Sequence, residues 1–85
     1  MTDQELQTKN MQLHEQRVIN EKNELADRTV KLAAFISASP TFTSLPTAEK
    51  SRLKRQLNCM IEYVEVLDER IAAFESLNPH NTINS

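Results

Sequence analysis

The sequence predicts an all-α protein, and three observations support this class. The chain of 85 residues contains no glycine and no tryptophan, and residues of high helix propensity dominate it. No segment alternates polar and apolar residues, and no Asn-Gly or Asp-Gly turn is present. An apolar heptad seam fills the second half, at Leu53, Leu57, Met60, Val64, Leu67, Ile71 and Phe74. A chain of this length forms a single domain, residues 1–85, with few ways to bury such a seam.

The first half of the chain predicts one long helix over about 4–37. Its apolar residues recur every seven positions, at Met11, Val18, Leu25 and Leu32. Pro40 ends this helix, because a proline disfavours helical geometry in the residue before it. Pro40 also suits the first turn of a short new helix, with Ser39 as its N-cap.

A connector over 38–46 then contains the short helix. Phe42 and Leu45 are three residues apart, so both can point the same way. We expect them to form a hydrophobic plug that closes one end of a hairpin.

The last helix is predicted over about 48–77. Pro46 interrupts the chain before it, and Thr47 is the expected N-cap. The Asn78-Pro79 step ends it, and residues 78–85 form a polar tail.

The two long helices are expected to pack as an antiparallel hairpin, because their periods match and their connection is short. One register pairs Leu32 with Leu53, Leu25 with Met60, Val18 with Leu67 and Met11 with Phe74. Half of the seam then lies opposite polar residues, and a second apolar stripe runs beside it. We therefore predict a homo-oligomer built on the C-terminal helix. The predicted interface residues are Leu57, Val64, Ile71, Tyr63 and Val66.

Charge and cysteine content exclude several classes of protein. The formal net charge is −2, which argues against nucleic acid and against an anionic membrane surface. Cys59 is the only cysteine, so no disulfide can form within one chain. No apolar run approaches the roughly 20 residues that span a bilayer. We expect a cytoplasmic protein with reduced thiols.

Enzymatic sites are not recognisable in this sequence. A glycine-rich phosphate loop is impossible, and no Glu-x-x-His pair of the di-iron type is present. Cys59 and His14 are conceivable as a nucleophile pair, but no orienting third group is identifiable. We therefore predict no catalytic residue, no metal site and no cofactor.

Two charged clusters on the helices are candidate binding sites, although both are also compatible with solvated helix faces. An exposed set beside the oligomer face is the candidate contact for a protein partner: Glu62, Asp68, Glu69 and Arg70. A basic set is the candidate site for a phosphate-bearing nucleotide held between chains: Lys22, Arg28, Arg52 and Arg55.

A set of segments along both long helices and the connector forms a pattern found in other proteins: Gln16-Arg17-Val18, Glu21-Lys22, Glu24-Leu25, Leu32-Ala33-Ala34-Phe35-Ile36, Phe42-Thr43-Ser44-Leu45, Arg52-Leu53-Lys54-Arg55-Gln56-Leu57, Met60-Ile61-Glu62-Tyr63 and Leu67-Asp68-Glu69-Arg70-Ile71. In these segments the chain resembles a family of small helical-hairpin proteins of tailed phages, first catalogued in crAss-like phages. The resemblance implies an accessory protein made in the cytoplasm of an infected bacterium. It implies no particular catalytic or binding residues.

Three functions follow from this setting. The preferred hypothesis is a non-enzymatic accessory protein that binds a host protein, such as a component of bacterial defence, and modulates or inhibits it. The second is sequestration of a phosphate-bearing nucleotide signal between the chains of an oligomer. The third is a structural coiled-coil component of a larger assembly.

Overall fold

The computed structural model describes the backbone of residues 3–77 and the side chains of residues 13–76. Three helices follow one another: α1 (Asp3–Ala38), α2 (Pro40–Thr43) and α3 (Thr47–Leu77). The long helices α1 and α3 pack against each other and α2 lies between them in the chain, so the predicted all-α hairpin is confirmed. The predicted tail 78–85 and the side chain of Met11 lie outside the described residues.

Ser39 forms the joint between α1 and α2. Its backbone N–H donates to the carbonyl oxygen of Phe35 at 3.1 Å, which completes the last turn of α1. Its own backbone is extended (φ −82°, ψ 128°), and its Oγ accepts a hydrogen bond from the N–H of Thr41 at 3.2 Å. Ser39 therefore caps α2 as the sequence predicts, with Pro40 in the first turn, where a missing N–H costs no hydrogen bond.

The plug at this end of the hairpin is centred on Phe42. Its side chain is buried and meets Phe35 edge to face, with ring centroids 6.0 Å apart. The Nζ atom of Lys50 lies 5.9 Å from the centroid of the same ring, which is within range of a cation–π interaction. Leu45 is only half-buried. Helices α1, α2 and α3 thus all contribute a side chain to the plug.

Among the side chains of residues 13–76, the core between α1 and α3 is small. Val18, Leu25 and Leu67 are buried, and Leu67 has no exposed surface at all. Four half-buried residues pack against them: Met60, Val64, Ile71 and Phe74. The presence of Val18, Leu25, Met60 and Leu67 in one cluster agrees with the predicted register.

Val64 and Ile71 differ from the sequence prediction. The prediction placed them opposite polar residues of α1, without an apolar partner in the same chain. The structure packs both against the intrachain core, so this part of the prediction was wrong. A seam residue inserts between two residues of the facing helix, so a polar residue directly opposite does not prevent apolar contact with its neighbours.

The hairpin is elongated, with principal extents of 60 × 28 × 16 Å. Its radius of gyration is 18.6 Å, whereas a compact chain of this length would have about 12 Å. Its accessible surface is 6677 Å², against about 5,200 Å² for a compact protein of the same mass. The hairpin is therefore extended, with more accessible surface than a compact protein of its mass. None of the helices, as far as they are described, is long and apolar enough to traverse a bilayer.

Candidate functional site

Two polar contacts between α1 and α3 define the two edges of the hairpin. At one edge the Tyr63 hydroxyl donates a hydrogen bond to the carboxylate of Glu21. At the other edge Lys22 Nζ lies 3.3 Å from the carboxylate of Asp68. Tyr63 and Asp68 are five residues apart, or about 140° around α3, so the two contacts lie on opposite sides of the apolar seam.

The edge with Tyr63 carries all five arginines of the chain. On α1, Arg17 is four residues before Glu21 and Arg28 is seven residues after it, so the three residues lie on one side of the helix. On α3, helical spacing also places Arg52, Arg55 and Arg70 on the side of the helix that carries Tyr63. We call this surface the arginine face, which comprises Arg17, Glu21, Arg28, Arg52, Arg55, Tyr63 and Arg70.

The arginines of this face differ in their partners. Arg28 lies 3.8 Å from Glu24, and Arg52 lies 2.8 Å from Glu49. Among the side chains of residues 13–76, no carboxylate lies within 4.0 Å of Arg17, Arg55 or Arg70. Exposed ion pairs of this kind contribute less than about 1 kcal/mol, so an incoming anion can displace them.

The predicted nucleotide-binding set is divided by the fold. Arg28, Arg52 and Arg55 share the arginine face. Lys22 lies at the opposite edge, where its side chain is about one-third exposed and paired with Asp68. The structure therefore brings together three of the four residues.

The predicted partner-binding set is divided as well. Glu62 and Glu69 are exposed and seven residues apart, so they share one surface of α3. Asp68 is engaged by Lys22, and Arg70 belongs to the arginine face. Only the two glutamates remain as a common acidic contact.

The predicted oligomer interface also contains two kinds of residue. Leu57, Val64 and Ile71 are half-buried within the hairpin. Tyr63 and Val66 are 46% and 47% exposed, which leaves them available for contacts outside the chain. Their place in an interface remains a prediction.

A Cys59–His14 nucleophile pair is excluded by distance. The His14 ring stands edge to face with Phe74, 5.8 Å between centroids. Cys59 and Phe74 are 15 residues apart on α3, which corresponds to about 22 Å along the helix. Among the described residues, no group of three side chains could hold a metal ion.

The hydrogen bond to Glu21 raises the pKa of Tyr63 above its ordinary value, with desolvation and the negative charge of Glu21 adding to the effect. Tyr63 is the only tyrosine, so the ultraviolet absorbance of the phenolate reports on this residue alone. We expect a titration midpoint above about 10, and a return towards about 10 in Glu21→Gln.

The raised pKa of Tyr63 stabilises the folded protein fully at any pH below the pKa that Tyr63 has in the unfolded chain. This stabilisation is lost as the pH rises through the pKa that Tyr63 has in the folded protein. Stability should therefore fall at alkaline pH more steeply in the native protein than in Glu21→Gln. Equal midpoints in the two proteins would contradict the contact.

The sequence analysis did not predict the arginine face, although the spacing of the arginines on α3 indicates part of it. The spacing of Arg52, Arg55, Tyr63 and Arg70 already places them on one side of α3. The side of α1 that joins them is known only once the Tyr63–Glu21 contact fixes the rotation of both helices.

The fold and its exposed charged surfaces define a class, that of small all-helical hairpin proteins whose candidate functional groups lie along the two helices. Within this class the chain belongs to the Sequestin family, because the family model described as Sequestin matches residues 4–73. No curated protein and no solved structure matches the chain.

Proposed function

We propose that the protein sequesters a phosphate-bearing nucleotide by stoichiometric binding without catalysis. The name of the Sequestin family is compatible with a binding or sequestering role and gives no target. The observation that carries the choice of target is the arginine face, where three of five guanidinium groups have no carboxylate partner among the described side chains. A surface whose arginines have no carboxylate partner favours the binding of an anionic ligand.

Arginine is the side chain best suited to phosphate. Its planar guanidinium donates two parallel hydrogen bonds to one phosphate and keeps its charge at every physiological pH. Arg28, Arg52 and Arg55 lie at the plug end of the arginine face. In this proposal Arg55, which has no carboxylate within 4.0 Å among the described side chains, holds a phosphate group of the nucleotide. Arg28 and Arg52 add contacts by exchanging Glu24 and Glu49 for phosphate.

The nucleotide is proposed to lie between chains of a homo-oligomer. The hairpin exposes about 1,500 Å² more surface than a compact protein of its mass, and a standard interface buries about 800 Å² on each partner. Val66 supplies exposed apolar surface for such an interface, and Leu57, Val64 and Ile71 supply its half-buried margin. Tyr63 lies at the edge of this proposed interface, with its ring open to the nucleotide. Sedimentation velocity at the concentrations used for binding measures the mass, and a monomer would contradict the interchain site.

The resemblance to tailed-phage hairpin proteins supplies the proposed setting. In an infected cell, a protein that binds a nucleotide signal in the host cytoplasm lowers its free concentration. A host defence that depends on this signal is then not activated. The proposed role is therefore counter-defence by removal of a ligand.

A screen of nucleotides by thermal unfolding tests the proposal. A ligand that binds only the folded state stabilises it by mass action, by about 2.7 kcal/mol at a concentration one hundred times its dissociation constant. We expect at least one phosphate-bearing nucleotide to raise the melting temperature, while its phosphate-free nucleoside does not. If the whole library leaves the melting temperature unchanged, nucleotide sequestration is wrong.

Capture of a host protein is the second candidate function. Val66 is 47% exposed and lies four residues from Glu62 and three residues from Glu69, on one side of α3. An exposed apolar residue between two carboxylates fits a basic, partly apolar surface on a partner protein. A nucleotide screen without any hit would favour this candidate over the first.

A further inference from the structure

We propose that Arg17, Tyr63 and Arg70 form a nucleotide subsite on the arginine face, in which the base stacks on the Tyr63 ring and a phosphate pairs with the two arginines. This subsite rests on the proposed function and deepens it. It lies beyond the plug-end arginines, within one hairpin, and it accepts a nucleoside monophosphate.

Tyr63 is presented to solvent as a stacking platform. Its side chain is 46% exposed, and its hydroxyl is held by Glu21 on the facing helix. The hydrogen bond fixes one end of the side chain across the hairpin. Fixing the ring in advance lowers the entropy that a ligand loses on stacking against it.

Arg17 and Arg70 lie on the same stretch of the hairpin as Tyr63. Two contacts between the helices bound this stretch: Tyr63 with Glu21, and Phe74 with His14. Arg17 lies about 6 Å along α1 from Glu21, and Arg70 lies about 10 Å along α3 from Tyr63, both towards the second contact. The two arginines therefore lie on the same stretch of this edge, one on each helix.

The local charge balance favours an anion. Neither Arg17 nor Arg70 has a carboxylate within 4.0 Å among residues 13–76, and the nearby Glu21 is engaged by Tyr63. At the opposite edge of the same stretch, Lys22 pairs with Asp68. A phosphate on the Tyr63 edge would thus gain two charge-assisted contacts, whereas one on the Lys22 edge would have to break an ion pair.

The single tyrosine makes the subsite directly observable. Isotopic labelling of tyrosine gives one ring spin system in the nuclear magnetic resonance spectrum of the full chain. We expect the four common nucleoside monophosphates to shift its ring signals through the ring current of the stacked base. The shift should saturate with the dissociation constant that calorimetry gives for the same nucleotide. Ribose 5-phosphate, which has no base, should give no ring-current shift.

Two variants test the roles of the ring and of the charge. Tyr63→Leu and Arg70→Gln are each expected to weaken binding about tenfold, the usual effect of losing one stacking or charge-assisted contact. Tyr63→Phe keeps the ring but loses the hydrogen bond to Glu21, so it should weaken binding less than Tyr63→Leu does. Lys54→Gln removes one charge from the opposite side of α3 and is the control for Arg70→Gln. Circular dichroism shows whether each variant keeps its helices.

Three results would contradict the proposed subsite. If nucleotides raise the melting temperature but neither the Tyr63 signals nor the two variants respond, the nucleotide binds elsewhere and only the subsite is wrong. If no nucleotide has any effect on stability or spectrum, the proposed function fails together with the subsite. If the Tyr63 signals depend on protein concentration and not on nucleotide, a second copy of the chain covers the ring and the subsite is wrong.

Discussion

Replacement of Leu67 by alanine is expected to lower the free energy of unfolding by about 2–5 kcal/mol, the usual cost of truncating a fully buried leucine. Leu67 is the one described side chain without any exposed surface, and it lies in a core with only two other buried members, Val18 and Leu25. A core this small has few neighbours that can move into the space. We therefore expect a cost in the upper part of this range, and substantial unfolding of the variant at physiological temperature.

An exposed valine outside the proposed interface supplies a control. Val30 lies on α1 and is 68% exposed, so Val30→Ala should change the free energy of unfolding by less than about 1 kcal/mol. Urea-induced unfolding followed by circular dichroism measures both variants, at one protein concentration because oligomers gain stability with concentration. Equal midpoints for Leu67→Ala and Val30→Ala would show that α1 and α3 do not pack as described.

Replacement of Arg55 by glutamate is expected to weaken nucleotide binding by at least about tenfold, since a hydrogen bond to a charged group contributes about 1.5–3 kcal/mol. Arg55 lies on the arginine face and has no carboxylate within 4.0 Å among the described side chains, so the change breaks no ion pair there. The new negative charge also repels phosphate, which adds to the loss.

Lys54→Glu is the control for this variant. It makes the same change in net charge one residue away, but on the opposite side of α3 from Tyr63. Its effect should remain within about threefold, because exposed charges at longer range are screened by salt. Calorimetric titration measures both, with the nucleotide that the thermal screen identifies. Equal losses for the two variants would show that net charge, and not the arginine face, governs binding.

The helical hairpin could be predicted because its signals are local and strong. The seven-residue repeat of α1, the heptad seam of α3 and the prolines at positions 40 and 46 all indicate the same two helices and the same connection. The cap at Ser39 and the burial of Phe42 follow from the residues around Pro40, so they too were within reach.

The division of charges between the two edges could not be predicted in the same way. The sequence grouped Lys22 with Arg28, Arg52 and Arg55 because all four are basic. Whether two residues of different helices share an edge depends on the rotation of each helix about its axis. That rotation is fixed by packing between α1 and α3, and the Tyr63–Glu21 and Lys22–Asp68 contacts reveal it.

The plug around Phe42 has a consequence for how the chain folds. The two long helices are joined at this end by only eight residues, 39–46, so bringing their nearest turns together closes a short loop at small entropic cost. Each further layer of the core lies farther from the turn and forms with its neighbours already in place. The contacts between α1 and α3 can therefore form in order from the turn outward, beginning near Phe42 and ending with the contact between His14 and Phe74.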